Sequence, residues 1–166
     1  MDRRIVEVLI EIPLGGRNKY EYDRDRKLFV LDRVLYSSVH YPTDYGFILD
    51  TLAPDGDPLD ALVVTTEPTF PGCLVPAIPI GMLEMHDEKG EDFKVLAVPA
   101  VDPRWSSVRE LSELPAHWLL EIENFFRTYK TLEGVDTEVV GWKTADAAWE
   151  TIERSRDHAG PPADPR

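Results

Sequence analysis

Apolar positions follow two different rhythms along the chain. Up to about residue 101 they alternate with polar ones or run in short blocks, and beyond residue 114 they recur every three or four positions. A period of two marks strands and a period near 3.6 marks helices. The stretch RIVEVLIEI (4–12) is rich in β-branched residues and stops at Pro13, and LGGRN (14–18) carries turn chemistry. KYEYD (19–23) and KLFVLDRVL (27–35) alternate on either side of a polar turn, which predicts a hairpin. ALVVTTE (61–67), CLVPAIPIGMLEM (73–85) and FKVLAVPAV (93–101) predict further strands, with Pro76 and Pro79 placing bends or an edge in the second. Five or so short strands with irregular connections predict a small closed or partly open barrel.

In LPAHWLLEIENFFRTYKTLEG (114–134), residues Trp118, Leu119, Ile122, Phe125, Phe126 and Tyr129 share one helical face. Pro115 suits the first turn, Gly134 lies just past the end, and the aromatic stripe is expected to lie on the barrel. TEVVGW (137–142) reads as a strand. TADAAWETIERSRDHA (144–159) reads as a second helix, with Thr144 as N-cap and Asp146 in the first turn. GPPADPR (160–166) has the composition of a disordered tail, leaving a single domain over 1–159. The class predicted is α+β, mainly β.

Composition narrows the function. A chain of 166 residues with 43% apolar content suits one domain with a real core. A formal net charge of -13 argues against nucleic acid or an anionic membrane as partner. Such an excess of acid serves either a solvated surface or carboxylates converging on metal ions, and only placement separates the two. Cys73 is the sole cysteine, so neither an intramolecular disulfide nor a thiolate metal site can form. That, with an N-terminal segment of strand type rather than a signal peptide and no apolar run of membrane length, predicts a cytoplasmic protein.

The densest candidate chemistry is APDGDPLDALV (53–63), where Asp55, Asp57 and Asp60 crowd around Gly56 and Pro58. Hard cations such as Mg²⁺ take oxygen ligands, and carboxylates this close repel one another without one. An EF-hand loop is excluded because Asp60 and Thr66 stand where it needs Gly and Glu. The plain alternative is a turn-and-cap cluster stiffened by Pro58. A second acidic group, HDEKGED (86–92), offers Asp87, Glu88, Glu91 and Asp92 around a Lys89-Gly90 turn. Glu91 and Lys89 read as solvent-facing there. Lys19, Arg33, Lys94 and Lys130, with Tyr41, Tyr45 and Tyr129, form a basic and aromatic set; each alone reads as surface charge or core-edge aromatic. Cations combined with excess carboxylate suggest a phosphate substrate handled with metal ions. No P-loop or dinucleotide-binding glycine motif is present, and the histidines form no zinc-hydrolase pair, with His86 the one expected near the site.

DGDPLDALV closely resembles the D-S/G-D-P-x-D signature of the soluble family I inorganic pyrophosphatases. IEIP, KYE, LDR, YPTDYGFI, HDEKGED and FFRTYK follow the same pattern in order, from about residue 8 to about 155. The resemblance implies a five-stranded OB-like barrel with flanking helices and a Mg²⁺-dependent hydrolysis of diphosphate to two phosphates. By motif position it implies that Asp55, Asp60 and Asp92 bind two activating metals and that Asp57 takes a proton from the attacking water. Glu11, Asp87 and Asp92 then surround metals that arrive with substrate, and Glu21 and Glu88 stand behind them. Lys19, Arg33, Tyr45, Lys94, Tyr129 and Lys130 bind phosphate, and Tyr41 supports the site. Bacterial members are commonly homohexamers built as two trimers, with an H-F-F-x-H-Y-K stretch at subunit contacts; here NFFRTYK puts Asn124 and Thr128 at the two histidine positions. Two other readings of the residues stay open: a two-metal phosphoesterase for a small organic phosphate, and a non-catalytic acidic module that binds cations.

Overall fold

The computed structural model describes residues 4–160. The alternation in the first segment becomes strand β1 (Val6–Ile12), which buries Val6, Val8, Ile10 and Ile12 and exposes Glu7. The predicted hairpin forms as β2 (Asn18–Asp23) and β3 (Leu28–Val34), a small sheet of its own. The remaining strands are β4 (Asp44–Ile48), β5 (Asp60–Val63), β6 (Leu74–Asp87), β7 (Gly90–Pro99) and β8 (Glu138–Thr144). They pair in the order β1-β4-β5-β7-β6-β8, and β1 also pairs with β6. That extra pairing closes a ring of five strands, β1-β4-β5-β7-β6, with β8 hung on the outside of β6. The barrel-like closure and the mainly β class therefore stand as expected.

Strand β6 makes the closure possible by its length. Its first residues pair with β1 (Leu74–Ala77) and the rest with β7 (Ala77–Asp87), while Gly81–His86 also carry β8. The register shifts between Pro79 and Gly81, so the expected bend falls inside one continuous strand. β5 and β7 run parallel and the other ring pairs antiparallel. Alternation along β5 and β7 splits the core in two. Leu62, Leu96 and Val98 join Ile122, Phe125 and Phe126 of helix α1 (Ala116–Thr128). Ala61, Val63, Val95 and Ala97 join Trp149 and Ile152 of helix α2 (Ala145–Ala159).

Several boundaries moved. β5 stops at Val63, four residues short of the expected end. α1 stops at Thr128, and Gly134 (φ 74°) instead caps a separate 3-10 turn, Thr131–Glu133. The N-terminus of α2 is as expected: Thr144 Oγ1 accepts a hydrogen bond from the N–H of Ala147 at 3.2 Å. Of the tail expected over 160–166, residues 161–166 lie outside the described residues. The strand β4 was not anticipated. All five of its residues are buried, so no polar alternation marks it. It sits between β1 and β5, and Gly46 faces the β1 backbone so closely that a Cβ would stand 1.9 Å from the carbonyl oxygen of Leu9. Backbone cannot yield as a side-chain tip can, so Gly46→Ala should cost about 3 kcal/mol of stability. Urea denaturation, read as a lowered midpoint at unchanged slope, measures this.

Candidate active site

The site is assembled where β4, β5 and β7 end on one rim. Parallel pairing puts Asp60 of β5 directly beside Lys94 of β7, and Tyr45 enters from the adjoining β4. Lys94 is only 2% exposed. Its Nζ donates to Asp60 Oδ2 at 2.9 Å and to the Tyr45 hydroxyl at 2.9 Å, and it forms an ion pair with Asp92 Oδ2 at 3.0 Å. Burial by itself would pull this ammonium down, but the facing Asp60, Tyr45 and Asp92 hold it well above the usual lysine range. It is a permanent charge.

The Asp55–Asp60 segment is a tight loop, not a strand extension. The Ala53 N–H donates to the Asp57 carbonyl at 2.7 Å, Gly56 N–H to the Ala53 carbonyl at 3.0 Å, and Asp57 N–H to Asp55 Oδ1 at 3.0 Å. Gly56 takes φ 88°, which explains glycine there. The loop neck is clamped by Thr51, a residue the sequence reading overlooked. Its buried hydroxyl donates to the Ile48 carbonyl at 2.7 Å and accepts from the Leu59 N–H at 3.0 Å. The Leu52 N–H also donates to the Ser155 carbonyl at 2.9 Å, tying the loop to α2. On β4, buried Asp44 accepts from the N–H of Leu14 and of Thr69, which anchors the strand that carries Tyr45.

The resulting cavity, of about 190 Å³, is lined by Glu11, Lys19, Glu21, Tyr41, Tyr45, Asp55, Asp57, Asp60, Asp87, Asp92, Lys94, Tyr129 and Lys130. Three expected residues stand outside this lining: Glu88, Arg33 and His86. Glu88 forms an ion pair with Lys130 at 3.6 Å. Arg33 is held by Asp32 at 3.4 Å and by Glu133 at 3.0 Å, its Nε–H not aligned for a hydrogen bond. Lys19 lines the cavity while paired with Asp32 at 3.2 Å. Arg24 and Lys89 also line it. Both sit in turns, Arg24 between β2 and β3 and Lys89 between β6 and β7, where composition alone reads as solvent-facing. His86 is a correction: strand alternation turns Asp87 toward the cavity and leaves His86 outside its lining.

The electrostatics show more carboxylate than the local cations can match. Glu11 is raised to about 7, chiefly by burial; the Tyr22 N–H at 2.8 Å opposes this, and Asp60 and Glu21 add to it. Asp92 is raised by burial, against the pull of Lys94 and with a further push from Asp60. Both shifts disfavour the bare carboxylate, first because burial takes it out of water and then because other carboxylates stand close. An oxygen-only donor set of this kind fits a hard divalent cation, with Asp55, Asp60, Asp87, Asp92 and Glu11 as the candidate holders. Tyr129 is raised to about 12, and Tyr41 and Tyr45 lie well above the usual phenol range, all mainly by burial, so the three remain phenols.

Residues 8–159 match the family model described as inorganic pyrophosphatase. The chain belongs to the inorganic pyrophosphatase family. It is 57% identical over 149 residues to the inorganic pyrophosphatase of Synechocystis, covering 90% of this chain and 88% of that protein. It is 53% identical over 155 residues to that of Methanosarcina acetivorans, covering 93% and 92%. The crystal structure of inorganic pyrophosphatase from Thermus thermophilus aligns with a TM-score of 0.92 at 43% identity, covering 96% of this chain and 94% of that one. Membership makes this pyrophosphatase fold a hydrolase of inorganic diphosphate, and the expected mainly β architecture agrees with the solved relatives. Within that family frame the Thr51 clamp makes a specific demand. Thr51→Val should remove both hydrogen bonds and cost about 2 kcal/mol, leaving the Leu59 N–H unpaired. It should also raise the divalent-metal concentration needed for half-maximal activity, and Thr51→Ser should restore it; a metal titration of the three proteins checks this.

Proposed function

We propose that the chain hydrolyses diphosphate with Mg²⁺ as its activating cation and with Asp57 as the base that takes the proton of the attacking water. The observation that carries this reading is the character of the cavity. At about 190 Å³ it falls below the roughly 300–1,000 Å³ typical of sites for larger organic ligands, and carboxylates face lysines and phenols across it. It offers room and charge for two phosphoryl groups. Asp55, Asp60 and Asp92, joined by Asp87 and Glu11, would hold the cations. When bound, Mg²⁺ would offset substrate charge and lower the pKa of water.

The residues of the chain then divide the work. Asp57 sits on the exposed part of the clamped loop and lines the cavity, where its carboxylate would take the proton of the water. As water oxygen bonds to one phosphorus, the bridging P–O bond breaks and the second phosphate leaves. Lys19, Lys94 and Lys130 spread the charge of that leaving group, and the phenols of Tyr45 and Tyr129 donate hydrogen bonds to it. Tyr41 backs Tyr45, their ring centroids 5.2 Å apart. Glu88 steadies Lys130, Glu21 stands behind Glu11 on the metal side, and Arg33 joins the phosphates only by releasing Glu133. No step needs a covalent enzyme intermediate. A cytoplasmic setting suits the single unpaired Cys73, and among the described residues no helix is long and apolar enough to cross a membrane.

Phosphate release from diphosphate and from a nucleoside diphosphate, each with Mg²⁺ and with Ca²⁺, tests the reading. Turnover of diphosphate with Mg²⁺ alone is expected. Release only from the nucleotide would favour an organic phosphoesterase, and no release under any condition would favour a cation-binding module. Asp57→Asn should keep the fold and lower kcat by about 10²–10⁴-fold; near-normal turnover at neutral pH would remove Asp57 from the base role.

The assembly proposed is a homohexamer of two trimers. Exposed Leu28, Leu31, Phe70, Leu120 and Leu132 supply apolar surface for subunit contacts. Asn124 is exposed and Thr128 half-buried on α1, and neither titrates near pH ~6.5, where histidine would. Sedimentation velocity on either side of that pH should show an unchanged hexamer. Splitting into trimers in mild acid would assign the contact to another group, with His117 the first to examine.

A further inference from the structure

Strands β7, β6 and β8 lie side by side, and the face of β6 turned away from the catalytic cavity carries a second polar cluster. Alternation sends Leu83 and Met85 into the core and Asp87 to the cavity, leaving Glu84 and His86 on the opposite face. His86 stands opposite Glu91 across the β6–β7 ladder and opposite Glu138 across the β6–β8 ladder. Ligand atoms from Glu84, His86 and Glu91 all lie within 4.8 Å of one another. Glu138 Oε2 lies 3.8 Å from His86 Nδ1. Independently of this clustering, the Nε2 atom of His86 has no exposed surface and no hydrogen-bond partner among the described residues, although the side chain as a whole is 42% exposed.

We propose that Glu84, His86 and Glu91 form a second divalent-metal site, for a transition metal of the Zn²⁺ class. An imidazole with two carboxylates is a mixed nitrogen and oxygen set that suits Zn²⁺ better than Mg²⁺, which prefers oxygen and water. Zn²⁺ bonds of roughly 2.0–2.2 Å place ligand atoms about 3.4 Å apart in a tetrahedron. Glu91 is exposed and Glu84 is largely covered, so closing to that spacing falls mainly to rotation of Glu91. Coordination satisfies the orphaned Nε2, and Glu138 then receives the proton on Nδ1 and fixes the ring. The competing occupant is Lys143, whose Nζ lies 3.2 Å from Glu84 Oε2 and which must swing away when the metal binds. The site bridges the ends of β6 and β7, the two strands that present Asp87 and Asp92 on the other face, so the bound ion staples the hairpin that carries them.

The catalytic cavity has no histidine in its lining, so imidazole coordination separates the two sites. With the full chain in excess Mg²⁺, calorimetric titration with Zn²⁺ should show one site beyond those Mg²⁺ holds. His86→Asn and the surface variant Glu91→Gln should each weaken it at least tenfold while leaving kcat with Mg²⁺ unchanged. X-ray absorption of the Zn²⁺-loaded protein should show imidazole scattering that disappears in His86→Asn. A Zn²⁺ isotherm identical in wild type and both variants, or imidazole scattering that persists in His86→Asn, would overturn the proposal.

Discussion

A buried ammonium group holds the rim of this protein together. Lys94 places one positive charge within 3.0 Å of Asp60, Asp92 and the Tyr45 hydroxyl. Those three groups come from three strands, β5, β7 and β4, and without a cation among them the two carboxylates could not share the space. The ring of strands makes the arrangement rigid: the parallel β5–β7 pair fixes Asp60 against Lys94, and β4 is locked between β1 and β5 by the close approach at Gly46. The one charge is enough to fold the site but not to neutralise it. Glu11 and Asp92 remain raised, mainly by burial with neighbouring carboxylates adding to it, and that deficit is the physical basis for a divalent cation in the cavity.

The loop-borne chemistry is hung on this frame through short clamps. Thr51 closes the neck of the loop bearing Asp55 and Asp57, while α2 receives the loop through the Ser155 carbonyl. The β6–β7 hairpin presents Asp87 and Asp92 to the cavity and shows Glu84, His86 and Glu91 on its reverse. Two-faced strands explain how a chain with so much acid keeps its carboxylates in separate groups. They also let a single hairpin connect a catalytic rim to a cluster of different donor chemistry.

Much of this was legible along the chain, for reasons that can be named. Asp55, Asp57 and Asp60 share one stiff turn, and the spacing of Ile122, Phe125 and Phe126 marks a helix with one apolar face. β4 escaped because both its faces are buried and its residues carry no alternation. Arg24 and Lys89 escaped because turn composition says nothing about which way a turn leans. Arg33 lies in a motif expected to bind phosphate, yet Glu133, more than ninety positions away in sequence, holds it, a pairing no local pattern reveals. His86 was misplaced although the signal was available: a strand that sends Asp87 to the cavity must send its neighbour elsewhere.

The dependence of the whole site on Lys94 is open to direct measurement. Unfolding free energies of metal-free wild type and Lys94→Met, taken from urea denaturation at neutral pH, compare the rim with and without its buried charge. Methionine keeps the length of the side chain and strands Asp60 and Asp92 together, so a loss of about 3 kcal/mol is expected, by analogy with other broken buried ion pairs. Equal stability of the two proteins would contradict the account, because the carboxylates would then need no internal cation to share their place on the rim.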